Sequence, residues 1–374
     1  MMKKTLLAAL ISCTVLSAQA AEKGVIYLTF DDGPINASNQ LVNELDAAGI
    51  RATFFINAFH MFGEGDENES HATASLQKMF NSGHIIANHS DDHMLHNCTD
   101  GIESGAFYCN RVGLWPVKSY RSVETDLTYF DKNIQRVEHE IPGAYLYTNY
   151  KMTKLARLPY TNGWRVTSKM KGDGRCATSD TVPPWDPAFS CDATTSTQSS
   201  KTAGLIADQL VSRGYKLYGW DLDWGPENWG VAFPAETLLD GEALLARVNE
   251  VVNTCAPRTM NPLNSRTPDL DCSDGIARNK VVILAHDFLF EDGKRGKGAT
   301  INLPKIKRFV DAATRQGYRF DTLDNYAPQW QPHVAYKAGD FVSYQDKIYS
   351  IIQPHTAQLN WNPAATPALW RNEI

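Results

Sequence analysis

Two adjacent carboxylates, Asp31 and Asp32, close the apolar run Val25–Phe30 and are followed at once by Gly33-Pro34. Carboxylates at the end of an apolar strand are costly to desolvate unless they are paired or bind something. One of them can hold a cation while the other stays free as a base. The plain alternative is a surface Asp-Asp-Gly turn. Further on, His89-Ser90-Asp91-Asp92-His93 directly follows His84–Asn88. Histidines at i and i+4 share one face if a helix begins there, and then form a two-nitrogen metal clamp. His84 and His96 fall outside that spacing and read as structural. Joined with Asp32, the clamp is a two-His, one-Asp donor set. It leaves positions open for water and substrate, as a catalytic ion requires.

Three more segments sit where strands end: Arg157-Leu158-Pro159-Tyr160, Trp220-Asp221-Leu222-Asp223-Trp224 and Leu284-Ala285-His286. A histidine leaving an apolar strand is suited to donate a proton opposite an Asp base. Taken singly, each segment is explained as well by packing; their order along the chain is what speaks for a site.

The elements that must position these groups are legible as strand-like runs followed by helical patterns. Strands are expected at Val25–Phe30, Ala52–Asn57, His84–Asn88, Leu155–Tyr160, Lys216–Asp221 and Val281–His286. Helices are expected at Asn36–Ala48, His71–Asn81, Thr202–Arg213, Ala235–Asn253 and Asn302–Gln316, most of them stopping at a glycine. This alternation implies an α/β fold with parallel strands and helical crossovers. Periodicity leaves a barrel and an open doubly wound sheet both standing. Long connections at about 94–154, 161–200 and 222–279 have the length of site-building loops.

The chain has 374 residues, a formal net charge of −6 and no Lys/Arg-rich run, so neither nucleic acid nor an anionic membrane is an expected partner. Lys3 and Lys4 precede the apolar run Leu6–Leu16, and Ala18-Gln19-Ala20 supplies small residues. This is the pattern of a secretory signal spanning 1–20, which implies an extracellular or periplasmic protein. Six cysteines remain beyond it in three close couples, for which the pairings Cys98–Cys109, Cys176–Cys191 and Cys255–Cys272 are expected as loop staples. From Pro328 the character changes: Tyr336, Tyr344, Tyr349, Trp361 and Trp370 recur among Gly and Pro turn signals, marking a small β-rich module at 328–374.

The ordered set TFDDGP, HSDDH, RLPY, an Asp-Trp segment and LAH resembles the polysaccharide deacetylase family, also called NodB-homology or carbohydrate esterase 4. The likeness covers about residues 25–325, within a domain at 21–327. It implies a distorted (β/α) barrel with fewer than eight strands. Site roles follow motif by motif. Asp32, His89 and His93 hold one divalent metal, most often Zn2+, and Asp31 is the general base toward the attacking water. Arg157 orients Asp31, and the backbone N–H of Tyr160 supports the oxyanion. His286 protonates the leaving amine, and Leu284 lines the acetyl pocket. The fourth motif departs from the family pattern, since Trp220 stands where an Asp is usual; Asp223 is the residue expected to tune His286. Trp224 and Trp229 are candidate sugar-stacking walls.

The tail resembles small chitin-binding modules, with Tyr349 and Trp361 as its candidate sugar contacts. The whole layout looks closest to secreted chitin oligosaccharide deacetylases acting on chitobiose and short oligomers as a monomer. The alternatives are a peptidoglycan or acetylxylan deacetylase, and a non-catalytic chitin-binding protein.

Overall fold

A computed structural model describes residues 23–63, 69–93, 123–141, 143, 152, 155–159, 163–165, 172–173, 206–225, 238–252, 280–293, 296–326, 330–336, 341–345 and 347–372. The expected signal segment, Tyr160, Trp229 and the six cysteines Cys98, Cys109, Cys176, Cys191, Cys255 and Cys272 lie outside them.

The central sheet is built from β1 (Gly24–Gly33), β2 (Thr53–Ile56), β3 (Ile85–Asn88), β4 (Leu155–Ala156), β5 (Lys216–Leu217), β6 (Leu222–Asp223), β7 (Lys280–His286) and β8 (Tyr318–Asp321). Its path runs β5-β4-β3-β2-β1-β7-β6, every neighbour parallel, while β8 pairs with Gly24–Tyr27 of β1. Among the described residues that makes eight strands rather than fewer. The extra one arises because β1 is long enough to pair with β8 along its first half and with β2 along its second.

β1 reads as an unbroken apolar run because both of its faces are covered. Ile26, Leu28 and Phe30 face the helix layer, while Val25 and Tyr27 face the interior with Phe55, Tyr218, Val282 and Tyr326. The connection after β5 distinguishes a barrel from an open sheet. β5 and β6 are the two ends of the seven-strand path, which laid flat would span about 29 Å at about 4.8 Å per strand. Only residues 218–221 join them, a reach of about 17 Å at most. The sheet must therefore curl until its edges meet. The expected single strand Lys216–Asp221 is thus a two-residue edge strand followed by a crossing of the seam.

Helices α1 (Asn36–Ala47), α2 (Glu69–Asn81), α3 (Val123–Glu140), α4 (Gly241–Val251) and α5 (Gly298–Arg315) pack around the sheet. α4 begins later than the expected Ala235, at the Asp240 cap whose carboxylate accepts the Gly241 N–H at 2.7 Å. A side chain at Gly241 would run into the backbone of Phe309, so glycine lets α4 lie close on α5. α3 falls inside a stretch read from sequence as a connection. Its signal is present: Leu127, Phe130, Val137 and Ile141 recur at helical spacing and are all buried. The Leu155–Tyr160 strand is cut to two residues, although the Arg157 N–H still donates to the Asn88 carbonyl of β3.

The C-terminal module has two small antiparallel sheets, β9 (Ala335–Tyr336) with β12 (His355–Thr356), and β10 (Phe341–Tyr344), β11 (Lys347–Ile351) and β13 (Trp370–Asn372). Val334, Tyr336, Val342, Tyr349, Ile351, Ala357 and Trp370 form its own core.

Candidate active site

The reactive groups gather at the C-terminal mouth of the barrel, where parallel α/β folds collect side chains from several strand ends. Asp31 on β1 and His286 on β7 are register partners, as are Thr29 and Leu284 two residues earlier. Period-two alternation puts all four on the inner face. Leu284 is 4% exposed and belongs to neither main hydrophobic cluster, so it sits in the wall beneath the His286 position.

Arg157 is the structural centre of this group. It is buried, and its NH1 donates to Asp31 Oδ1 at 2.7 Å and to Thr29 Oγ1 at 2.9 Å. Its Nε and NH2 donate to the carbonyls of Tyr218 and Gly219, the residues that cross the barrel seam. Its guanidinium lies 4.2 Å from the ring centroid of Phe55 and 5.6 Å from that of Trp220. NH1 thus fixes one Asp31 oxygen, leaving Oδ2 turned toward His89 at 3.6 Å.

Asp32, His89 and His93 converge. Asp32 Oδ1 is 3.1 Å from His93 Nε2 and 3.5 Å from His89 Nε2, and the three donor atoms lie within 4.8 Å of one another. Ligands bonded tetrahedrally at about 2.0–2.1 Å stand about 3.3 Å apart, so the residues present fit a divalent ion. The tautomer fits too. His89 Nδ1 lies 2.9 Å from the carbonyl of Arg157, which can only accept, so Nδ1 carries the proton and Nε2 offers its lone pair. Burial pushes Asp32 up, yet His93, His89 and His286 outweigh it and hold the carboxyl below the usual range. Burial lowers His93 to about 3, in spite of Asp32. Both groups are held in their unprotonated, ligating forms. Burial likewise lowers His286, opposed by Asp32 and Asp31; its Nε2 stands 3.9 Å from Asp32 Oδ2.

No helix begins at His89–His93. The clamp is made instead by left-handed backbone at Ser90 (φ 68°) and His93 (φ 57°), and Asp32 is also left-handed (φ 71°). The side chain of Asn57 binds the carbonyls of His89 and Ser90, both at 2.8 Å. Asn133 on α3 bridges Ile56, Ala58 and Asn88. Sequence reasoning missed these asparagines, because an isolated Asn carries no spacing signal.

Two expected contacts are corrected. Trp224 is fully buried between Phe290 and Phe309, with Nε1 bonded to the Leu239 carbonyl, so it is core and presents no face to a sugar. Tyr349 belongs to the core of the small module for the same reason, while Trp361 is partly exposed. Asp221 is used up holding the seam, its Oδ2 accepting the Val282 N–H at 2.9 Å. Asp223 stands in register with Leu284, and its charge acts on Arg157.

A parallel barrel with a carboxylate facing a histidine and a two-His, one-Asp donor set at its mouth is a layout suited to a hydrolase. Residues 18–165 match the polysaccharide deacetylase family, and residues 329–371 match carbohydrate-binding module family 5/12. The chain is 48% identical over 356 residues to a chitin disaccharide deacetylase of Vibrio alginolyticus, covering 95% of this chain and 83% of that protein. It belongs to the polysaccharide deacetylase family. The tail is 56% identical over 45 residues to chitinase D of Niallia circulans, covering 12% of this chain and 9% of that one. Among solved structures, the catalytic domain of a peptidoglycan N-acetylglucosamine deacetylase from Eubacterium rectale aligns with a TM-score of 0.45 at 14% identity, covering 80% of this chain and 88% of that one.

Proposed function

We propose that this enzyme hydrolyses the N-acetyl group of GlcNAc units in chitin oligosaccharides, chitobiose and short oligomers first, and releases acetate. The observation that carries the chemistry is the pairing of Asp31 with His286 across one rung of the sheet, beside the three converging donors. The substrate class is supported by the chitin disaccharide deacetylase relative and by the carbohydrate-binding module.

Asp32, His89 and His93 would hold the divalent ion, Zn2+ by resemblance to the family, which would polarise the amide carbonyl and acidify water when bound. Asp31, kept as an acceptor by Arg157, takes a proton from the attacking water. His286, on the opposite strand, gives a proton to the departing amine, without which amide cleavage fails. The N–H of Tyr160 is proposed to help stabilise negative charge on the carbonyl oxygen. Leu284 walls the acetyl methyl, Trp229 lies against the sugar, and Asp223 tunes His286 through the Arg157–Asp31 pair.

Export belongs to the same proposal and rests on Lys3, Lys4 and the Leu6–Leu16 run. Among the described residues no helix is long and apolar enough to cross a membrane. The disulfides Cys98–Cys109, Cys176–Cys191 and Cys255–Cys272 are read by peptide mass before and after reduction.

The deciding experiment measures acetate release from (GlcNAc)2, (GlcNAc)3, insoluble chitin, peptidoglycan and acetylxylan, with chelator and with zinc restored. Chelator-sensitive release from the short oligomers supports the proposal. Release from peptidoglycan or acetylxylan alone keeps the chemistry and moves the substrate. Silence on all five, with chitin still bound, leaves a binding protein.

A further inference from the structure

Between the two histidines of the clamp stands a carboxylate that takes no part in the chemistry above. Asp91 is wholly buried, yet its charge is matched: Oδ2 lies 3.0 Å from Lys132 Nζ and 3.3 Å from Arg136 NH1. Lys132 and Arg136 are four residues apart, one turn of α3, and so share a face of that helix. The backbone of Asp91 is tied to the same places. Its N–H donates to the Tyr129 carbonyl, and its carbonyl accepts the Phe59 N–H. Arg136 is itself seated over the ring of Phe62 at 4.4 Å, so the cation is anchored before it reaches the carboxylate.

A reason for this much anchoring is visible in the backbone on either side. Ser90 and His93 both have positive φ, a conformation that costs energy for a residue with a side chain and persists only where the surroundings enforce it. Without that conformation the segment would not bring both imidazoles to Asp32. A buried ion pair is weak evidence for stability, because desolvation offsets its attraction; its better-attested use is to fix one arrangement among several. Asp91 is placed to do that for the ligand loop, binding it by three separate groups to α3 and to residues 58–62.

We infer that Asp91 is a positioning residue for the metal clamp, holding His89 and His93 in ligating geometry through its ion pairs with Lys132 and Arg136. The inference rests on the two-His, one-Asp reading of the site and deepens it. It assigns a metal-affinity role to a helix that is remote in sequence and supplies none of the proposed ligands.

The experiment uses the full chain and zinc alone, without substrate. Affinity is measured by competition with a chromophoric chelator, and the melting temperature of the metal-free protein is recorded beside it. Asp91→Asn should lower zinc affinity roughly 10–100-fold, the loss typical when support behind a ligand is removed. Lys132→Arg, which keeps the charge, should stay within a few-fold of the parent. Combining Lys132→Met and Arg136→Met should reproduce the Asp91→Asn loss, and adding Asp91→Asn to that pair should cost little more. Parent-like affinity in folded Asp91→Asn would overturn the inference, as would a lower melting temperature with affinity unchanged. If Asp91→Asn does not fold, the combined Lys132→Met and Arg136→Met variant decides, and an affinity equal to the parent's sinks the idea. A parent protein that binds no zinc would fail the metal reading itself, a separate result from either of these.

Discussion

Asp31 and His286 face each other across a single rung of two parallel strands, so the distance between the proposed base and acid is set by backbone hydrogen bonding rather than by a loop. Strand geometry of this kind holds catalytic groups more closely than a loop does, and turnover depends on that precision. Asp31→Asn keeps the shape and the Arg157 contact but cannot take up a proton. We expect kcat to fall by roughly 10²–10⁴-fold, as it does when a general base is removed, with zinc content unchanged. Acetate release and metal analysis on one preparation check both halves. Full activity in the Asn variant would remove Asp31 from the role of base.

His89→Ala and His93→Ala should behave differently from Asp31→Asn, because they delete donors from the convergent set. Metal content and activity are expected to vanish together in either variant, whereas chelated parent protein should recover when zinc is restored. A normally loaded His93→Ala protein would show that the ion is held elsewhere.

Arg157 binds Asp31, Thr29 and the carbonyls of Tyr218 and Gly219 through a planar fork that an ammonium group cannot reproduce. Arg157→Lys is therefore expected to lower kcat more than it raises KM, since it loosens the base and touches no substrate directly. It should also destabilise the fold by about 2–4 kcal/mol, because buried carbonyls at the barrel seam lose their donors. Denaturant unfolding and initial rates measure the two effects. An unchanged kcat would mean that Asp31 needs no orienting partner.

How much of this was legible follows from what each feature depends on. Asp31, Asp32 and His286 could be read because they terminate long apolar runs, and local burial dictates such runs. α3 could have been read too, since Leu127, Phe130, Val137 and Ile141 keep helical spacing. The left-handed clamp could not. Its conformation is imposed by Asn57, Asn133 and the cations of α3, contacts that bridge many tens of residues and leave no local pattern. Trp224 misled for a related reason: a tryptophan beside a catalytic motif has the same composition whether it points into the cleft or into the helix layer, and only the β6 pairing decides.

Trp224 therefore carries a stability prediction in place of a binding one. It fills space between Phe290 and Phe309 and satisfies the Leu239 carbonyl. Trp224→Ala should cost about 3–5 kcal/mol in unfolding free energy, the usual range for an aromatic deleted from a core. The folded fraction should keep the parent KM for short oligomers. A large rise in KM with stability intact would return Trp224 to the sugar site.

His84 tests the fold at the opposite end of β3, away from the ligands. Its ring is fully buried; Nδ1 accepts the Ala52 N–H at 3.1 Å, and Nε2 lies 3.4 Å from Asp46 Oδ1. Burial lowers its pKa to about 4, assisted by Arg51 and opposed by Asp46. The unfolded chain, with an ordinary value near 6.5, thus binds more protons than the native protein between those limits. Acidification accordingly favours unfolding: the loss begins as pH falls below about 6.5 and is complete below about 4, reaching roughly 3 kcal/mol for a shift of this size. His84→Asn retains an acceptor for the Ala52 N–H and removes the titration. Its stability should decline less steeply than the parent's across that window, and the two curves should run parallel above pH 7. Curves parallel throughout would mean that His84 is not held neutral by the fold.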